Sequence, residues 1–346
     1  MAAWAKNSVA LMRLTRFSTA FAAVSNVWFV ILWSRAAAEL PGRHEWPPPS
    51  ILELPLWTLL AGGAVSAACL YAFGAALNDV LDADRDRAMR RQRPVAQGEV
   101  GSSAAVLTVA GTLIGSGLGA TVFGIGGVIV TLLVSAAILG FNAAARFFPG
   151  FGLVLVAAIY GAHAMAPNPH LAFVWPIWFL MTHALVVSGA AQVLGRRLPP
   201  LTRPAMWTAG AGWLATSAVL IAVGYLRSTG PISLDPQPGV ERVLWPEWVP
   251  WWAAIAPLAL AVAFGLFVRR RLAGTDPGPR AAEKITRYGA LWLPLYGVAW
   301  LAAIGAWLEA AVLAGLALGG TIGLTTVREV RTLIERPVEF RRTTGG

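Results

Sequence analysis

Cysteine is nearly absent. Cys69 stands alone in the chain, which excludes an intramolecular disulfide and any multi-cysteine metal site. Histidine is almost as scarce: His44, His163, His170 and His183 show no ligand spacing such as HExxH, so they read as core or interface histidines. Charge is short as well. Asp, Glu, Lys and Arg make up 13% of the 346 residues, against about 25% in a soluble domain. Acids are the scarcest charge, with six aspartates in all and no Asp or Glu between Glu99 and Asp235. What fills the chain is apolar: 57% of residues are hydrophobic and the mean hydropathy is +0.62. No soluble domain is visible, and the class is a polytopic membrane protein.

Ten apolar spans can be read, at 17–34, 57–77, 104–123, 126–145, 152–166, 171–191, 205–226, 250–268, 288–306 and 309–326. Each approaches the ~20 residues a bilayer needs, the fifth being short. The last two are divided only near Trp307-Leu308-Glu309, so the expectation is an all-α transmembrane bundle of nine or ten spans. It forms one domain, 1–346, with halves at 1–150 and 151–346. With the N-terminus inside, all but four of the 27 Lys and Arg fall on the inner side. The four are Arg35, Arg43, Arg227 and Arg242. That bias is the positive-inside rule. It accounts for the net charge of +10 without a nucleic-acid partner. Both termini then face the cytoplasm, and a bacterial-type inner membrane is the default location. The outer loops 35–56 and 227–249 are proline-rich. Trp245, Trp248, Trp251 and Trp252 end the second, as an interfacial aromatic belt or as a gate for lipid.

Against this background Asn78-Asp79-Val80-Leu81-Asp82-Ala83-Asp84-Arg85-Asp86 holds four of the six aspartates, at the inner end of an apolar run. Asp79, Asp82 and Asp86 are three and four apart, which stacks them on one helix face. Carboxylates so close repel unless a cation joins them. Oxygen-only ligands beside substrate phosphates suit Mg²⁺. The Asp-x-Asp-x-Asp pattern from Asp82 is not a calcium loop, because the required glycine is Arg87 and the terminal acid is Arg93. Arg85, Arg87, Arg90, Arg91 and Arg93 follow, then Pro94 and Gly98. Magnesium-holding acids beside guanidinium forks are what a diphosphate needs.

Asn78-Asp79-x-x-Asp82-x-x-x-Asp86 followed by Arg93-Pro94-x-x-x-Gly98 resembles the first signature of the UbiA superfamily of intramembrane prenyltransferases. The gap from Asp86 to Arg93 is similar to that in the chlorophyll synthase and geranylgeranylglyceryl-phosphate prenyltransferase branch. The resemblance implies a helical bundle around a central cavity open sideways to lipid. It implies Mg²⁺-dependent transfer of a prenyl group from a prenyl diphosphate to an aromatic or other lipid-soluble acceptor. Asp79, Asp82 and Asp86 would hold the metal and serve as catalytic residues. Asn78, Arg93, Arg146 and Arg196 would bind diphosphate. The pattern departs in the second half. Where the family has a second acidic motif, the chain reads Gln192-Val193-Leu194-Gly195-Arg196-Arg197. The family's Tyr and Lys feature is altered to Phe141, Asn142 and Arg146. Either Arg196 or Arg197 replaces a second ion, or the chain is a non-catalytic homolog that binds a prenyl lipid or scaffolds a membrane partner.

Overall fold

The computed structural model describes residues 3–16, 19–40, 47–89, 93–228 and 242–335. All regular structure among them is helical. The helices are α1 (Ala3–Thr15), α2 (Phe21–Glu39), α3 (Pro49–Glu53), α4 (Leu56–Leu81), α5 (Ala83–Ala88), α6 (Ser102–Ala120) and α7 (Gly124–Ala143). They continue as α8 (Pro149–Ala164), α9 (Trp175–Leu194), α10 (Arg203–Arg227), α11 (Ile255–Leu272), α12 (Pro279–Ala303) and α13 (Trp307–Glu335). Backbone polar groups in lipid have no water to bond, so apolar runs of this length close their hydrogen bonds internally as helices. The starts are written in the sequence: α8, α9, α10 and α12 each carry proline in the first turn, where its missing N–H costs nothing.

Every expected span contains a helix. Among the described residues six apolar segments are long enough to cross a membrane: Phe21–Glu39, Leu56–Leu81, Ser102–Ala143, Trp175–Leu194, Arg203–Arg227 and Trp251–Leu272. Ser102–Ala143 is one apolar stretch folded into two helices, α6 and α7. Pro149–Ala164 and Trp307–Gly323 are shorter apolar helices. The last two expected spans are separate elements, because the chain turns at Gly305 and α13 packs back on α12. Of these six segments α2 is the most buried, at 83%, against 17% for α10. The outward apolar side chains of the peripheral helices, such as Leu107, Ile125 and Trp207, form the surface that faces lipid.

Two packing features position the rest. α4 and α6 touch closely at Gly119, where an added Cβ would lie 2.5 Å from the Ser66 nitrogen and 2.8 Å from the Gly62 carbonyl oxygen. Small residues permit such backbone approach between membrane helices. At the opposite end from α5, aromatic rings fill the core. Trp33 stacks on Phe173 at 5.3 Å, with Trp248 5.6 Å from Trp33. Trp245 and Trp300 meet Phe173 edge-on at 5.1 and 5.5 Å. The tryptophans grouped in the sequence therefore divide: Trp245 and Trp248 pack inward, while Trp251 and Trp252 remain exposed. Between α2, α9, α12 and α13 lies a cavity of about 20 Å³ beside Asn26, Tyr296 and Trp300, room for a water molecule.

Candidate functional site

The 26 residues of α4 deliver Asn78 and Asp79 in its last helical turn. The helical path continues almost unbroken into α5, since Asp82 N–H bonds the Asn78 carbonyl at 3.1 Å and Asp86 N–H bonds the Asp82 carbonyl at 2.8 Å. The three- and four-residue spacing therefore becomes one face. Asp79, Asp82 and Asp86 are 3%, 5% and 0% exposed. Asp84, off that face, is in water and pairs with Arg87.

One guanidinium meets all three buried carboxylates. Arg93 donates from Nη1 to Asp79 Oδ1 at 2.9 Å, and its Nε lies 3.1 Å from Asp86 Oδ2. Its Nη1 is also 3.9 Å from Asp82 Oδ2. Arg93 is held by the turn that follows it. Gln97 N–H bonds the Arg93 carbonyl at 2.9 Å, Val100 N–H bonds the Pro94 carbonyl at 3.2 Å, and Gly98 takes φ 74°. That left-handed value favours glycine. Val95 and Val100 bury against Ala10, Leu14, Ala76 and Ala105, so the turn is anchored to α1, α4 and α6.

A second guanidinium comes from the 3₁₀ turn Ala145–Phe147 between α7 and α8. Arg146 grips Asp82 with both terminal nitrogens, at 2.6 and 2.7 Å, and gives Nη1 to Asn78 Oδ1 at 2.9 Å. This bidentate fork is the strong form of the carboxylate pair. Its Nε is buried without a hydrogen-bond partner. A third, Arg16, places Nη2 3.5 Å from Asp79 Oδ1 from a residue at φ 47° just after α1. Arg13 on α1 bonds both oxygens of Glu99 at 2.7 Å, which fastens α1 over the same end of the bundle. Three buried carboxylates thus face three arginines.

Among the described residues no group of three or more His, Cys, Asp or Glu is disposed to hold a metal ion as it stands. The donor set nonetheless fits one: it is all oxygen, and its three carboxylates already converge on a single cation, the Arg93 guanidinium.

The structure brings Asn78, Asp79, Asp82, Asp86, Arg93 and Arg146 together. Arg196 is placed apart. It is exposed in a turn after α9 at φ 48°, and no ion pair among the described residues joins it to the aspartates. Gln192 donates to the Pro199 carbonyl at 2.6 Å, and the Gly278 N–H closes on the Leu194 carbonyl at 2.7 Å. The place of a second acidic motif is occupied by a structural turn. Asn142 is buried and bonds the Ile138 carbonyl of its own helix at 2.9 Å. Arg16 was readable in the sequence only as part of the positive-inside bias, because its partner lies 63 residues away in the chain.

No family model matches the sequence, and no curated protein matches it. Solved structures do. The chain superposes on a UbiA homolog from Archaeoglobus fulgidus bound to DMAPP and Mg²⁺ with a TM-score of 0.51 and 14% identity, covering 84% of this chain and 98% of that one. A digeranylgeranylglyceryl phosphate synthase gives a TM-score of 0.50 and 14% identity, covering 86% of this chain and 98% of that one. The likeness covers most of this chain and nearly all of both solved structures: the chain has the UbiA fold.

Proposed function

We propose that the chain is a Mg²⁺-dependent prenyltransferase of the UbiA superfamily, which transfers a prenyl group from a prenyl diphosphate to an aromatic or other lipid-soluble acceptor. The observation that carries this reading is the buried face of Asp79, Asp82 and Asp86 meeting Arg93 and Arg146 at one end of an apolar bundle. The fold of a UbiA homolog bound to DMAPP and Mg²⁺ supports it.

Asp79, Asp82 and Asp86 would hold the ion, which supplies charge stabilisation for a departing diphosphate. Arg93 and Arg146 exchange carboxylate for phosphate oxygens when the substrate arrives. Arg146 has a buried N–H ready for that exchange. Both guanidiniums then stabilise charge that develops on the leaving group. Asn78 keeps Arg146 oriented, and the apolar helices exclude water from the allylic cation. The charges also dictate an order. Among the described residues Arg93, Arg146 and Arg16 already pair with the three carboxylates, so an ion held there would take the place of a guanidinium. The ion and the anionic substrate therefore bind together, each strengthening the other.

A second reading is favoured by one observation, the structural turn at Gln192–Arg197 where a second acidic motif is expected. In it the chain binds a prenyl lipid or scaffolds a partner without turnover. Release of diphosphate from prenyl diphosphates of several lengths, with and without Mg²⁺, separates the two. Magnesium-dependent release that Asp82→Ala abolishes establishes the enzyme. Binding without release at every length establishes the non-catalytic homolog, and equal turnover in Asp79→Ala, Asp82→Ala and Asp86→Ala would falsify the site.

A further inference from the structure

Residues 269–287, which join α11 to α12, carry six Lys or Arg against two acids, Asp276 and Glu283. Arg269, Arg270 and Arg271 stand in the last turn of α11. Arg280, Lys284 and Arg287 follow on the first turns of α12, four and three residues apart, which places them on one helix face. The other side of the same turns is apolar: Ala282 and Ile285 are buried against Val187, Ala191 and Phe264. Arg269, Arg270, Arg271 and Arg280 are exposed, and Lys284 and Arg287 are half-buried.

Aromatic rings hold the two basic ends together. Phe267 on α11 meets Tyr288 on α12 edge-on at 5.1 Å and Trp292 at 5.6 Å. Trp292 Nε1 donates to the Leu260 carbonyl at 3.0 Å. The Arg271 guanidinium lies over the Phe267 ring at 5.4 Å, and that of Arg287 over Tyr288 at 5.2 Å. The two cations therefore stand on neighbouring rings, each attracted by the ring face beneath it. Lys284 Nζ donates to Thr275 Oγ1 at 2.9 Å and fastens the connection to α12. Among the described residues no ion pair joins Asp276 or Glu283 to these cations.

The apolar surface beside the charges decides which anion fits. Leu258, Val262 and Leu266 are exposed on α11 at intervals of four, in a segment long enough to cross a membrane. Arg269 and Arg270 come three and four residues after Leu266 and so lie on its side of the helix. A strip suited to acyl chains thus ends in guanidiniums, which match the oxygens of a phosphate. A soluble anion gains nothing from the strip, and a neutral lipid gains nothing from the charge.

We propose that the ends of α11 and α12 bind an anionic phospholipid, with its headgroup phosphate among Arg269, Arg270, Arg271 and Arg287 and its acyl chains along the α11 strip. The surface uses none of the residues of the aspartate site and is independent of the function proposed above.

The test uses the full chain purified in detergent. Native mass spectrometry, with phosphatidylglycerol and phosphatidylcholine offered in equal amounts, should show about tenfold more phosphatidylglycerol bound. The variant Arg269→Gln, Arg270→Gln, Arg271→Gln should bring that ratio close to one. Arg270→Gln alone, exposed at a helix end, should lower it several-fold and serves if the triple variant does not fold. The variant Arg203→Gln, Arg341→Gln, Arg342→Gln removes the same charge elsewhere in the chain and should keep the ratio. Equal binding of the two lipids by the parent, or a ratio unchanged in the first variant, overturns the site. An equal loss in the Arg203 variant also overturns it, because net charge would then set the preference. So does a preference that millimolar inorganic phosphate abolishes, because the occupant would then be a free anion.

Discussion

The two ends of this bundle use arginine in opposite ways. At the aspartate end Arg93, Arg146 and Arg16 are bound to carboxylates. At the other end Arg227 and Arg242 bury N–H groups that no acceptor meets. Guanidiniums paired with carboxylates admit a ligand only by exchange, whereas a buried N–H without an acceptor is stabilised by gaining one. The residue type is the same, and the difference lies in what the neighbouring turns bring to it.

The largest expected effect comes from Asp82→Ala, which breaks the pairing outright. It leaves the Arg146 fork buried without its carboxylate, and breaking a buried pair in this way costs about 3–5 kcal/mol. The variant should melt far below the parent and lose prenyl diphosphate binding by about two orders of magnitude or more. An Asp82→Ala protein that binds as the parent does would show that the fork has no part in holding the substrate. Arg146→Lys keeps the charge and removes the fork. A lysine is a point charge without the two parallel donors, so affinity for diphosphate should fall about tenfold, a loss of ~1.4 kcal/mol, with a smaller change in stability.

Arg196→Ala sharpens a second comparison, between the ends of α4 and α9. The α4 end bears buried acids, while the α9 end is closed by the Gln192 bond to Pro199. Arg196 is exposed, and exposed charges contribute about 0–1 kcal/mol. Diphosphate affinity should therefore change by less than about fivefold, well short of Arg146→Lys. A loss equal to that of Arg146→Lys would mean that Arg196 reaches the substrate once it is bound.

Much of this molecule is legible in its sequence, for physical reasons that can be named. Long apolar runs place a helix in each expected segment, because lipid leaves the backbone no other choice. The boundaries are less legible. The first span was expected at 17–34, yet α2 runs Phe21–Glu39 and carries Arg35 within the helix, since the guanidinium finds the Leu54 carbonyl. α12 begins at Pro279 rather than 288 because its first turns are amphipathic, with Ala281, Ala282 and Ile285 buried beside charged residues. Local spacing also predicted the face shared by Asp79, Asp82 and Asp86. The arginine partners were only partly readable. Arg93 follows the motif closely, whereas Arg16 and the pairing of Arg13 with Glu99 depend on how α1 folds back, which no local pattern encodes. The division of the tryptophans has the same cause: Trp245 and Trp248 meet Trp33 and Phe173 across the bundle.

The smallest expected effect lies at the end that holds Arg227. His170 titrates below its ordinary value near 6.5, because burial disfavours the imidazolium and, secondarily, the charge of Arg227 repels it. The neutral ring is thus favoured in the folded protein. Its contribution to stability is full above the unfolded pKa and is lost as the pH falls toward the lowered folded pKa. His170→Gln should therefore lose slightly less melting temperature than the parent between pH 7 and pH 5. Arg227→Gln removes the secondary cause alone, so the imidazole pKa, followed by nuclear magnetic resonance of labelled histidine, should rise only part of the way to its ordinary value. A His170 pKa indifferent to Arg227→Gln would mean that burial alone sets it, and that the two ends differ less than their arginines indicate.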